Sequence, residues 1–211
     1  MTLLALTDAN KVFTFQLRKE FSAEETVTAV ADLYRMGALE ECGGRLKPTG
    51  SYRDMIDTLK QVERVIALQV EEGHRSQILL YPRKDDRVVV LESSCGYERA
   101  VKLSCREWSE LLEELRENEI LPHSVVKDRA EAVQLERMAG EVAGEQGRVL
   151  IKCLVVEPAS GTTVETWEVV SAAAMRLLKV SGSREYTHIY AADELTALLE
   201  ETWKGETSGS L

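Results

Sequence analysis

This chain of 211 residues is poor in the groups that most catalytic and metal-binding signatures require. Its four cysteines, Cys42, Cys95, Cys105 and Cys153, form no C-x-x-C, and no two sit at zinc-ligand spacing. They read as reduced, partly buried thiols, with a Cys42–Cys95 bridge as the alternative in an oxidising setting. The three histidines, His74, His123 and His188, are far apart. No phosphate-loop, dinucleotide-binding or G-x-S-x-G pattern occurs, and Gly43–Gly44 reads as a turn. No apolar run approaches the roughly 18 residues of a membrane helix. The first residues lack the basic region and long apolar core of a signal peptide, so the expected location is cytoplasmic, without membrane insertion. Cations are scarce too. Against 36 Asp and Glu there are 26 Lys and Arg, a net charge of −10. An acidic surface repels phosphate backbones, which argues against a nucleic-acid partner.

What the chain does have is a repeat. Residues 98–117, ERAVKLSCREWSELLEELRE, align without a gap on residues 185–204, EYTHIYAADELTALLEETWK. Glu107, Leu111, Leu112, Glu113 and Glu114 fall on Glu194, Leu198, Leu199, Glu200 and Glu201. Each copy follows several β-rich runs, so one sheet-plus-helix unit is used twice. A hydrophobic content of 44% and a charged content of 29% fit an ordinary globular core.

Periodicity and end signals place the elements. Leu3–Leu17 reads as extended. Ser22 and Glu25 form a capping box before a helix with Val27, Val30, Ala31 and Tyr34 on one face, and Gly37 stops it. The pair Ser51 and Asp54 reads as the cap of a second helix, with Met55, Ile56, Leu59 and Val62 as its apolar stripe. Four β-runs follow, around Val65–Val70, Ile78–Tyr81, Val88–Leu91 and Arg99–Leu103, with turns at Glu72–His74, Pro82–Asp86 and Cys95–Gly96. Such short spacing implies antiparallel hairpins. Ser104 and Glu107 read as a further capping box, before Trp108, Leu111, Leu112 and Leu115. After the break at Leu121–Ser124, a charged helix over 128–144 carries Val133, Leu135, Met138 and Val142. Four more β-runs and a last helix, over about 193–203, complete the chain. The predicted fold class is α+β: antiparallel sheet or sheets with flanking helices and an internal pseudo-twofold repeat. The halves are residues 1–122 and 123–204, with a flexible tail at 205–211. Each half alone is small, which favours one shared sheet.

The candidate binding residues are Arg83, Lys84, Asp85 and Asp86, a charged hairpin turn, and Trp167, flanked by Thr166 and Glu168 and read as an exposed anchor. The acidic pairs Glu113–Glu114 and Glu200–Glu201 read as solvated faces. His188 is the candidate of an enzymatic reading, which lacks a triad signature. Two capped helices followed by a hairpin also resemble a winged helix, with Arg53, Lys60 and Arg64 on the recognition helix. Asp54, Asp57 and Glu63 nearly neutralise that face.

Residues 33–68, LYRMGALEECGGRLKPTGSYRDMIDTLKQVERVIAL, resemble a pattern of the EspG family. Gly37, Leu39, Gly44, Leu46, Pro48, Leu59 and Val65 stand at the family's positions for a helix end, a glycine turn, a proline and a helix leading into a sheet. The resemblance implies a cytosolic chaperone of type VII (ESX) secretion with a pseudo-twofold α+β fold. Its ligands would be helical secretion substrates. The expected function is thus a non-enzymatic adaptor with no cofactor, no metal and no small-molecule substrate, and the alternative is a winged-helix DNA-binding regulator.

Overall fold

A computed structural model describes residues 22–70, 76–93, 101–139, 147–172 and 174–208. The Leu3–Leu17 run, the turns at Glu72–His74 and Cys95–Gly96 and the last residues of the 128–144 helix lie outside them.

Helix α1 (Ala23–Arg35) opens with the predicted capping box: the Glu25 N–H donates to Ser22 Oγ at 3.1 Å, and the Ser22 N–H to Glu25 Oε2 at 2.9 Å. Strands β1 (Leu39–Cys42) and β2 (Arg45–Pro48) form a separate hairpin. Gly43 (φ 64°) and Gly44 (φ 74°) sit between them, and a two-residue loop with both φ positive matches the twist of the flanking strands. Helix α2 (Gly50–Gln61) starts without a side-chain cap from Ser51; instead Thr49 Oγ1 donates to the Gly37 carbonyl at 2.7 Å, tying the helix start to the end of α1.

Strands β3 (Val65–Val70), β4 (Ser76–Pro82), β5 (Arg87–Ser93) and β6 (Val101–Glu107) form an antiparallel meander that runs into helix α3 (Trp108–Glu117). Helix α4 (Arg129–Ala139) follows. Strands β7 (Arg148–Glu157), β8 (Thr162–Ser171), β9 (Arg176–Ser181) and β10 (Arg184–Ile189) form a second meander that runs into helix α5 (Glu194–Ser208). The meanders join through β3 and β7, antiparallel from Val65↔Val156 to Val70↔Ile151. The result is one eight-stranded sheet of order β10-β9-β8-β7-β3-β4-β5-β6.

Besides the missing Ser51 cap, three expectations are corrected. Ser104 and Glu107 do not form a capping box, because β6 stays in register with β5 as far as Arg87↔Glu107 and the ladder claims the backbone first. The stripe of α4 is not its buried face: Leu135 and Met138 are exposed, and Ala132 is buried instead. Helix α5 continues past Trp203 through Ser208.

Alternation along the strands assigns each side chain to a face. One face carries Ile66, Leu68, Ile78, Leu80, Val88, Val90, Ile151, Cys153, Val155, Trp167, Val169 and Leu177, and is covered by α3 and α5. The other face, on the β3–β5 side, carries Val65, Ala67, Leu79, Tyr81, Val89 and Leu91 under Met55, Ile56 and Leu59 of α2 and Leu39 of β1. Burying each large apolar side chain contributes about 1.5–3 kcal/mol, so these two layers are the main stabilising term.

Candidate partner-binding surface

The β4–β5 turn, which holds the four charged candidates, stands against the second half of α2. Between them lies a concavity of about 530 Å³ walled by Asp54, Asp57, Thr58 and Gln61 of α2 and by Pro82, Arg83, Lys84 and Asp85. Within the turn, the Arg83 guanidinium grips Asp85 with two bonds, Nε to Oδ1 and Nη2 to Oδ2, both 3.0 Å. Its third contact, Nη1 to Thr58 Oγ1 at 3.3 Å, reaches across to α2. Thr58 Oγ1 donates in turn to the Asp54 carbonyl at 2.9 Å. A bidentate guanidinium is a rigid fork, so the turn is set in place before anything binds.

The same contacts set the charges. The hydrogen bond from Arg83 holds the Asp85 carboxyl below its ordinary value. Asp85 in return pushes the Arg83 guanidinium up. Both therefore remain ionised at neutral pH. With Asp85 neutralised by Arg83, Asp54, Asp57 and Glu63 stand against Lys84 on the walls, and the concavity is acidic on balance.

Asp86 has a different job. It takes a left-handed conformation, φ 55°, which aspartate tolerates better than most residues. Its carbonyl accepts the Trp108 N–H at 2.9 Å. It thus anchors the turn to the start of α3, and its exposed side chain is left outside the concavity.

Trp167 is not exposed. It is 1% accessible and packs in the layer beneath α5, with Lys179 Nζ 5.7 Å from its ring centroid. Lys179 in turn pairs with Glu165 at 3.4 Å. A buried indole offers no anchor on the surface. Trp203 is buried too. The structure therefore brings Arg83, Lys84 and Asp85 together with α2 and leaves Trp167 elsewhere. In the sequence Asp54 reads as the cap partner of Ser51 and a counter-charge on the helix, and Asp57 as a counter-charge alone. The Arg83–Thr58 bond spans residues distant in sequence, and no local pattern announces it.

The residues of the other readings are engaged in structural contacts. Arg53 Nη2 donates to Glu40 at 3.3 Å and to the Pro48 carbonyl at 3.1 Å, which ties that cation to the β1–β2 hairpin. The β4–β5 hairpin lies inside the eight-stranded sheet. His188 Nε2 is hydrogen-bonded to Glu194 at the foot of α5. Glu114 is not simply solvated, since it pairs with Arg106. Among the described residues no group of three or more His, Cys, Asp or Glu could hold a metal ion, and no helix is long and apolar enough to cross a membrane. No protein-family model matches the chain, and no curated protein matches it.

Proposed function

We propose that the protein is a non-enzymatic adaptor that holds helical partner proteins, working as a cytosolic chaperone of a type VII-like secretion system. The observation that carries the binding role is the concavity between α2 and the β4–β5 turn, preset by the Arg83–Asp85 fork and its bond to Thr58. A binding surface held in place by its own side chains loses little entropy when it is occupied. Its acidic balance favours a helix that presents lysine or arginine toward Asp54, Asp57 and Glu63. The secretion assignment rests on the EspG-like pattern over residues 33–68.

The two meanders are read as copies of one duplicated unit related by a pseudo-twofold axis between β3 and β7. Support comes from the gapless alignment of residues 98–117 on 185–204. The strand order is consistent with it: each meander has four antiparallel strands and ends in a helix. In an adaptor, such a doubled sheet serves as a rigid platform for the turn.

The test is to compare what the wild-type protein and an Asp57→Lys, Asp85→Lys variant retain from their source cells. A helical secretion substrate held by the first and lost by the second supports the reading. Equal retention by both, or retention of duplex DNA released by salt, overturns it.

A further inference from the structure

Among the described residues the two ends of the sheet are β6 and β10, and an edge strand offers unpaired N–H and C=O groups to any second strand that approaches. At β10 the far end of that edge is occupied by side chains. The Ile189 N–H donates to Glu136 Oε1 at 2.8 Å, and the Ile189 carbonyl accepts from Arg129 Nη1 at 3.3 Å. Arg129 and Glu136, both on α4, also pair with each other at 2.9 Å. Together they supply the acceptor and the donor that a neighbouring strand would supply. The segment before α4 continues the pattern: Ser124 Oγ donates to the Tyr190 carbonyl at 2.7 Å, and the Ala192 N–H donates to the Val126 carbonyl at 2.9 Å.

Because Ile189 faces away from β9, the alternation of an antiparallel ladder turns the backbone groups of Glu185 and Thr187 outward as well. Those two residues and the exposed Tyr186 between them are the stretch that α4 leaves uncovered. The outward positions Glu185, Thr187 and Ile189 are symmetric about Thr187. Two copies of β10 can therefore pair antiparallel about a twofold axis there, with Thr187 against Thr187 and Glu185 against Ile189. That register needs Ile189, which α4 occupies. We propose that α4 is a strap that keeps β10 from pairing with β10 of a second copy of this chain.

The grip of the strap is mostly polar. Ala132 is fully buried, while Leu135 and Met138 are exposed, and the apolar contact beneath the strap is the small cluster of Val126, Ala132 and Ala191 with Ile189. Little apolar burial and hydrogen bonds from α4 that are exposed or only part-buried mark a segment that opens locally at low cost.

The test uses the purified protein alone: wild type, Glu136→Ala, Arg129→Ala, and Glu136→Ala combined with Thr187→Pro. At a dilution where the variants are monomeric, amide exchange at Ile189 is expected to speed up about tenfold in Glu136→Ala, which removes the acceptor of that N–H, the equivalent of one charge-assisted hydrogen bond. Sedimentation across a concentration series is expected to show wild-type monomer and single-variant dimer. Proline at 187 removes an outward N–H that the dimer needs and an edge strand tolerates, so the double variant returns to monomer. Single variants that stay monomeric, a wild type that already dimerises, or a dimer that survives Thr187→Pro would each overturn the proposal.

Discussion

The indole of Trp108 lies stacked on that of Trp203, with ring centroids 4.5 Å apart and planes 13° from parallel. The first opens α3 and the second lies in α5, so one aromatic contact joins the helices that end the two meanders. Both rings sit in the layer that covers the sheet. Truncating either to alanine is expected to cost about 3–5 kcal/mol. The pair adds about 0.5–1.5 kcal/mol beyond its burial, so the double variant should lose less than the sum of the two single losses. Urea unfolding of the four-protein cycle measures it, and strict additivity would show that the stack contributes nothing of its own.

Gly147 stands where the chain enters β7. A Cβ there would lie 2.3 Å from Val170 Cγ1 and 2.5 Å from the Ser171 carbonyl oxygen. The second neighbour is backbone and cannot swing aside. Gly147→Ala is expected to destabilise the protein by about 1–3 kcal/mol. Gly50, at the first turn of α2, is open: a Cβ added there would meet nothing within 4 Å. Gly50→Ala should therefore be neutral or stabilising by about 0.4–1 kcal/mol. Thermal melts of the two variants should move in opposite directions or differ clearly in size.

Acid sensitivity follows from two carboxylates near the end of β10. Burial pushes the Glu194 carboxyl up, but hydrogen bonds from His188 and the Ala191 N–H, with the charges of His188 and Arg129, hold it below its ordinary value. Glu136 is likewise pushed up by burial and held lower by the Ile189 N–H, by Arg129 and by the charge of His188. A lowered folded value means that the unfolded chain takes up protons first as pH falls. The stabilisation is therefore fully present above about pH 4.3, the ordinary glutamate value, and is lost as pH drops through the lower folded values. Glu194→Gln and Glu136→Gln should each flatten the decline of melting temperature over that acidic range. An unchanged slope would contradict the assignment.

The thiols should separate by reactivity. Burial pushes the Cys153 thiol far above its ordinary value, whereas Cys42 is exposed. Since the thiolate is the nucleophile, iodoacetamide should modify Cys42 in the native protein and reach Cys153 only on unfolding. Mass spectrometry of the alkylated protein decides it.

Legibility in the sequence followed the strength of the local signal. The capping box at Ser22 and Glu25 and the apolar strand Val65–Val70 were readable because one short pattern determines each. The antiparallel α+β class followed from the spacing of the runs. The β1–β2 hairpin shows in the sequence only as a turn, since Glu40, Glu41, Lys47 and Pro48 are weak strand formers. Ser104 and Glu107 had the cap spacing, but pairing between strands overrode it. The polar neighbours Thr166 and Glu168 suggest exposure for Trp167, yet it is buried. With a strand period of two, those neighbours face the opposite side and leave Trp167 aligned with Val169 in the core. The charged turn was readable, but its α2 wall was not. That wall depends on Arg83 reaching Thr58, a contact set by the tertiary packing of α2 beside β4 and β5.

The most direct test of the adaptor role is a side-by-side capture from source cells with three forms of the protein: wild type, Asp57→Lys with Asp85→Lys, and Met138→Lys on the distant surface of α4. The expected result is one helical secretion protein retained by wild type and by the Met138 variant, and lost when the charge of the concavity is reversed. The same set of proteins bound by all three forms would contradict it.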